Sequence, residues 1–203
     1  MHKEHGNNGD SATITLQANA VNNENLASDG YYHVVCRDKD GNVKWEEGFE
    51  NQVVQVGKIL AMTTLLTTAS GYTLVGPYLG LVATATTYSP TDTMASHSGW
   101  TEFTNYTVGG SAVRGTAVFA TATGNNVTTA GSNIVTSSAS AITYTVTGAG
   151  GTITGCFLVT GSGASSTLSS TTGTLWSAGG FAVAKTTTAG DTVTVTYSTT
   201  ATS

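Results

Sequence analysis

Apolar and polar residues alternate along much of this chain. The clearest two-residue periods are Thr143-Tyr144-Thr145-Val146-Thr147 and Thr192-Val193-Thr194-Val195-Thr196-Tyr197, a pattern that sends successive side chains to opposite faces of a strand. The same reading predicts strands over residues 31–37, 43–46, 78–83, 101–108, 113–121, 141–147, 152–160, 174–184 and 192–197. Asp40-Gly41 sits between the first two and predicts a hairpin, because glycine tolerates the positive φ of a tight turn. One stretch changes period. Val56, Ile59, Leu60, Met62 and Leu66 approximate a helical stripe, which predicts a helix over residues 54–67 placed to cover an open edge or end of the sheets.

Strands with one buried and one solvated face pair into two antiparallel sheets. The expected fold is therefore all-β: a jelly-roll-like β-sandwich over residues 30–198 with one short helix. Residues 1–29 read as an extended N-terminal arm and residues 199–203 as a C-terminal tail. The arm is Gly-, Asn- and Asp-containing around one alternating patch, Thr13-Ile14-Thr15-Leu16, and at full extension spans on the order of 90 Å. Two expectations stand side by side: an arm that orders against a neighbour, or a flexible, frayed terminus carrying one edge strand. Gly-rich breaks at Gly109-Gly110, Gly148 to Gly151, Gly161 to Gly163 and Gly179-Gly180 read as turns. None has the lysine of a phosphate-binding loop or the strand, turn and helix order of a dinucleotide site.

Composition narrows the function classes. Only 9% of the 203 residues are charged and the formal charge is −5, which removes the basic footprint of a nucleic-acid-binding protein. No apolar run reaches the length of a membrane helix, and the beginning lacks the apolar core of a signal peptide. About a fifth of the chain is threonine, and beyond Thr104 the only charged residues are Arg114, Lys185 and Asp191. A polar, nearly uncharged surface suits broad contacts in an assembly, because burying hydroxyls avoids the larger penalty of burying unpaired charges. The two cysteines, Cys36 and Cys156, are expected to be free buried thiols.

Candidate chemistry is sparse. Asp92, Ser96, His97 and Glu102 form the densest set, and Ser, His and Asp make a nucleophilic relay when folding places base against nucleophile and carboxylate behind the imidazole. Their crowding in one loop without a nucleophile-elbow pattern favours a structural reading: Asp92 caps a turn, His97 hydrogen-bonds locally and Trp100 anchors the loop. Glu46, Glu47 and Glu50 could pair as glycosidase carboxylates, but neighbours on a strand point to opposite faces. Asp38 to Asn42 resembles a calcium loop only in part, since its ligand pattern is incomplete. His2 and His5 have a metal-like spacing without further ligands. No catalytic, cofactor-binding or metal-binding residue is expected. The interface candidates are Ile14 and Leu16 of the arm, with Trp45, Phe49, His97, Trp100 and Trp176 of the body.

Several segments together carry a family likeness. They are Val35-Cys36-Arg37-Asp38-Lys39-Asp40-Gly41-Asn42-Val43-Lys44-Trp45, then Gly48-Phe49-Glu50-Asn51-Gln52-Val53-Val54 and Gly57, then Tyr78-Leu79-Gly80-Leu81-Val82. The run Asp92-Thr93-Met94-Ala95-Ser96-His97-Ser98-Gly99-Trp100-Thr101-Glu102 follows, with Gly155-Cys156-Phe157-Leu158 and Gly190-Asp191-Thr192-Val193-Thr194-Val195-Thr196-Tyr197 later. Over roughly residues 31–198 the chain resembles accessory structural proteins of tailed-bacteriophage virions, in particular capsid cement or decoration proteins. The resemblance implies a non-enzymatic protein made in the host cytoplasm and placed on the outer capsid surface. There it would stabilise contacts between major capsid protein subunits, as a homotrimer, with the arm reaching the capsid. The alternative is a head-tail, tail or head fibre component that binds host surface glycan. Neither carries a role for nucleic acid, membrane or cofactor.

Overall fold

The computed structural model describes residues 27–66, 75–126 and 133–202. Among the described residues, twelve strands and one helix run in the order β1 (Ala27–Arg37), β2 (Val43–Val53), α1 (Gln55–Leu66), β3 (Tyr78–Ala85), β4 (Trp100–Phe103), β5 (Tyr106–Thr107) and β6 (Gly115–Thr116). The second half adds β7 (Thr123–Asn126), β8 (Asn133–Ser138), β9 (Ile142–Val146), β10 (Gly151–Thr160), β11 (Thr174–Thr187) and β12 (Thr192–Thr202). The expected all-β sandwich with one short helix is what forms. It is jelly-roll-like in that one nearly closed sheet is rolled around a core.

Antiparallel pairing builds two halves. In one, β1 lies between β2 and β12, and β12 divides its other edge between β9 (Thr192 to Val195) and β8 (Ser198 to Thr202). In the other, β10 lies between β11 and β3, with β4 and β6 on β3. A two-residue seam, Gln52 and Val53 against Ala178 and Ser177, joins β2 to β11 and rolls the halves into one sheet. Alternation then decides the interior. Tyr32, Val34 and Cys36 of β1, Val193, Val195 and Tyr197 of β12, and Ile142, Tyr144 and Val146 of β9 meet Leu79, Leu81, Cys156 and Leu158 from the opposite half. Fully burying each large aliphatic or aromatic side chain contributes roughly 1.5–3 kcal/mol.

β10 and β3 depart from simple alternation because both of their faces are covered. Val82, Phe157 and Val159 point away from the main core into a second cluster closed by Trp100 of β4 and by Met94 and Ala164 from the long connections. Two buried phenols are paired within this architecture: Tyr144 donates to the Leu79 carbonyl at 2.8 Å, and Tyr32 meets the Ser177 hydroxyl at 3.0 Å, whereas the buried Tyr106 hydroxyl has no partner among the described residues.

The hairpin expected at Asp40-Gly41 is present. The Asp38 carboxylate accepts from the Asp40 and Asn42 amides, each at 2.9 Å, and Gly41 has φ 87°, so these residues close a turn. α1 covers the edge of β11 that β2 leaves: the Val54 amide donates to the Trp176 carbonyl at 3.1 Å as the chain turns into the helix. Gly57 makes the close approach possible, since a β-carbon there would lie 2.6 Å from that carbonyl oxygen.

Boundaries shift in physically interpretable ways. β1 already begins at Ala27, paired with Thr202, so the last three arm residues and most of the expected tail are ladder. The predicted strand over 101–108 divides at Thr104-Asn105, because β4 joins β3 whereas β5 joins β9 in the other half. The strand predicted over 113–121 contracts to β6 and isolated bridges at Val113 and Phe119, as Arg114 turns inward to an ion pair. β7 and β8 are absent from the sequence expectation: Thr-Gly-Asn-Asn and Asn-Ile-Val-Thr-Ser-Ser show little periodicity, and β8 is held by main-chain pairing to β12 and β7 by pairing to β8.

Candidate functional site

Two concavities and one sheet face are the candidate sites, and they hold His97, Trp100 and Trp176 of the interface candidates. The first concavity, about 220 Å³, is bordered by Met94, His97, Trp100, Glu102, Arg114 and the Ser169 to Thr171 turn. The turn from Ser89 to Asp92 begins its wall: the Asp92 carboxylate accepts from the Ser89 amide and from the Trp100 indole, both at 3.0 Å. Trp100 is 3% exposed and packs on Phe157 at 5.1 Å. His97 stacks on Trp100 with ring centroids 3.8 Å apart, and its Nδ1 donates to the Trp100 carbonyl at 3.0 Å.

Beneath this layer lies an ion pair that inspection of the sequence missed. Arg114, 1% exposed, donates from Nε and Nη2 to the two Glu102 oxygens at 2.8 and 2.7 Å. Its Nη1 reaches the Ser165 carbonyl at 3.1 Å and Nη2 the Ser170 carbonyl at 2.8 Å. Glu102 also accepts from the Ser169 amide at 2.8 Å, where Ser169 has φ 60°. The guanidinium stands 5.1 Å from the Phe157 ring centroid. One fork thus ties β4 to the connection between β10 and β11 and leaves neither carboxylate oxygen idle. The sole signal in the sequence was a lone arginine in an otherwise charge-free stretch.

The relay geometry does not assemble. Asp92 faces Trp100 rather than His97, and among the described residues no hydrogen bond joins the Ser96 hydroxyl to His97. Strand alternation sends Glu47 to the face opposite Glu46 and Glu50. Glu46 lies 2.8 Å from His33 on the outer face, whereas Glu47 pairs with Lys185 at 2.6 Å and accepts from the Ala182 amide. The hydrogen bond from Lys185 holds the Glu47 carboxyl below its ordinary pKa. Among the described residues no cluster of three or more His, Cys, Asp or Glu side chains could hold a metal ion. His2, His5, Ile14 and Leu16 lie outside the described residues.

The second concavity is an apolar groove of about 590 Å³ at the end of the sandwich where β1 starts and β12 finishes. Leu60 and Ala61 of α1 form one wall with Trp176; Pro77, Phe119 and Leu158 form the apolar remainder, with Ser137 and Thr199 at its β8 and β12 side. The Trp176 indole donates to the Tyr197 hydroxyl at 3.2 Å, fixing the ring. Trp45 and Phe49 sit elsewhere: both meet Phe181 edge-on, at 5.4 and 5.1 Å, and the Trp45 indole donates to the Thr186 carbonyl at 3.3 Å. The body candidates therefore occupy three places, with His97 and Trp100 together, Trp45 and Phe49 together, and Trp176 apart.

No protein-family model matches this chain, and no curated protein or solved structure matches it either.

The sheet face is built by β9 and β12. Their inward residues fill the core, so Thr143, Thr145, Thr192, Thr194 and Thr196 face outward, with the Thr143 and Thr194 hydroxyls 3.2 Å apart. The five threonines carry no charge, and on the adjoining β1 the exposed Arg37 stands in register with Thr192. At its margin Asp191, 2% exposed, takes Lys44 at 2.6 Å and the Thr188 amide at 2.8 Å. Burial pushes the Asp191 carboxyl up, but the Lys44 and Thr188 bonds outweigh it and hold its pKa below the ordinary value.

Proposed function

We propose that this chain is an accessory structural protein of a tailed-bacteriophage particle, a cement or decoration protein of the outer capsid surface that joins neighbouring major capsid protein subunits. The observation that carries the reading is the outward face of β9 and β12, two strands that together present five threonines and no charged residue of their own. Hydroxyls that exchange water for a partner's polar groups cost little, and a broad face of them suits many modest contacts. Each contact made raises the effective concentration of the next, which is how a small protein can hold a shell together. Closed threefold symmetry would match local threefold positions of an icosahedral shell. The sequence likeness to virion accessory proteins supports the same setting.

The glycan-binding alternative needs an exposed aromatic platform. All three indole N–H groups are committed within the fold, to Thr186, Asp92 and Tyr197, and Trp100 is buried. That arrangement favours packing over sugar stacking.

The test is to add the purified full chain to capsids lacking it. Saturable binding that raises the capsid's disruption temperature, weakened by Thr143→Glu and Thr194→Glu, is the expected result. Binding to host polysaccharide with none to capsids would overturn the reading.

A further inference from the structure

The smaller concavity lies between β4, β10 and three connections, and burial sorts its lining into floor and mouth. Met94, Trp100, Arg114 and Phe157 are at most 3% exposed and form the floor, whereas Thr101, Ser169 and Thr171 are exposed and form the mouth. The floor holds two charges that cancel. Arg114 uses four of its five N–H groups on Glu102, Ser165 and Ser170, and the fifth, on Nη1, has no partner among the described residues. Glu102 Oε1 accepts one bond, from Arg114 Nε, and so keeps a second lone pair. His97 uses Nδ1 as a donor to the Trp100 carbonyl, which leaves Nε2 as an acceptor. An anion entering here meets Glu102 and a cation meets Arg114, so the site favours a neutral molecule whose groups both donate and accept.

Ser169 supplies a second observation. Among the described residues every other position with positive φ is a glycine, yet Ser169 has φ 60°, a conformation disfavoured for a residue with a β-carbon. Its amide bond to Glu102 holds the turn, which glycine would make with less strain; serine adds a hydroxyl at the mouth. The volume, about 220 Å³, falls below the roughly 300–1,000 Å³ of pockets for drug-sized ligands and suits a single ring. We propose that this concavity binds one neutral hexose ring, with sugar hydroxyls at the Thr101, Ser169 and Thr171 mouth and the apolar C–H face toward Met94 and Trp100. A hexose hydroxyl both donates and accepts, as serine and threonine hydroxyls do, so each pair at the mouth forms in either sense. The pocket works through hydroxyls and needs no exposed indole. It is independent of the capsid reading, whose test acts at Thr143 and Thr194 in the other half of the sandwich.

The experiment titrates the isotope-labelled full chain with glucose, galactose and mannose, and with glucuronate, glucosamine and inorganic phosphate as charged controls, followed by amide proton–nitrogen spectra. At least one neutral hexose is expected to shift the Ser169, Ser170 and Thr171 amides and the Trp100 indole with a Kd of about 1–10 mM, each charged control binding about tenfold or more weakly. Thr101→Tyr and Thr171→Tyr fill the mouth from exposed positions and should each raise Kd about tenfold or more while lowering Tm by no more than about 2 °C. Ser169→Gly keeps the left-handed turn, removes the hydroxyl, and should raise Kd about fivefold while Tm holds or rises; a purely structural serine would change Tm alone. The proposal is overturned by no hexose-dependent shift, by shifts centred on another surface, by phosphate or glucuronate binding as tightly as the best hexose, or by affinity indifferent to all three variants. Capsid binding that survives such a failure leaves the cement reading standing, and loss of capsid binding with hexose binding intact removes that reading alone.

Discussion

Replacing Arg114 with alanine removes the one group that joins Glu102 to the Ser165 and Ser170 carbonyls. Four hydrogen bonds disappear, and the Glu102 carboxylate, with 8% side-chain exposure, keeps only the Ser169 amide at 2.8 Å. Removing one partner of a buried pair costs about 3–5 kcal/mol, because the survivor remains charged and desolvated. For a chain of this size each kcal/mol lowers Tm by about 2–4 °C, so a fall of roughly 6–20 °C is expected. Arg114→Met with Glu102→Leu should recover much of the loss, since replacing both charges by apolar volume avoids the orphaned ion. Urea denaturation at neutral pH, fitted with a common slope, measures all three variants. A loss below about 1 kcal/mol for Arg114→Ala, or a double variant worse than the single, would refute the assignment of this fork as a structural tie.

Other outcomes test the remaining architecture. Gly57→Val places a β-carbon 2.6 Å from the Trp176 carbonyl before counting its methyls, and should cost about 1–3 kcal/mol by forcing α1 off β11, read by thermal denaturation and Trp176 fluorescence. Asp191 and Glu47 both have folded pKa values below their ordinary ones, so the unfolded chain binds more protons in acid. The stability they contribute is present above their unfolded values, near pH 4, and is lost as pH falls through the lower folded values; Asp191→Asn should flatten the acid limb of a stability-against-pH curve. Burial pushes the Cys36 thiol up to about 11 and Cys156 higher still, so neither should react with a disulfide reagent at pH 8 until the chain unfolds; rapid native reaction would contradict their placement.

What the sequence revealed depended on how local the determinant was. The Asp40-Gly41 turn, the helix beside Gly57 and the alternations of β9 and β12 are settled by neighbours a few residues apart, and each formed where the pattern placed it. β8 has only Ile134 and Val135 as apolar residues and owes its existence to the second half of β12, a partner some sixty residues away. Glu102 was visible as an acid, but its role came from Arg114 and Ser169 on separate connections. The groove is equally non-local, since Leu60, Pro77, Phe119 and Thr199 meet only after the sheet rolls at the Gln52 and Val53 seam. His97 and Trp100 were legible as loop anchors because all of their ties, except the packing on Phe157, lie within the same connection.

The central claim, that this β-sandwich serves as a capsid cement, is tested most directly by cryo-electron microscopy of the native particle. A cement protein should occupy the outer shell in a high copy number set by the lattice, as trimers at local threefold positions with the β9 and β12 face against capsid subunits. A few copies confined to the tail or the head-tail junction, or no density on the shell at all, would contradict it.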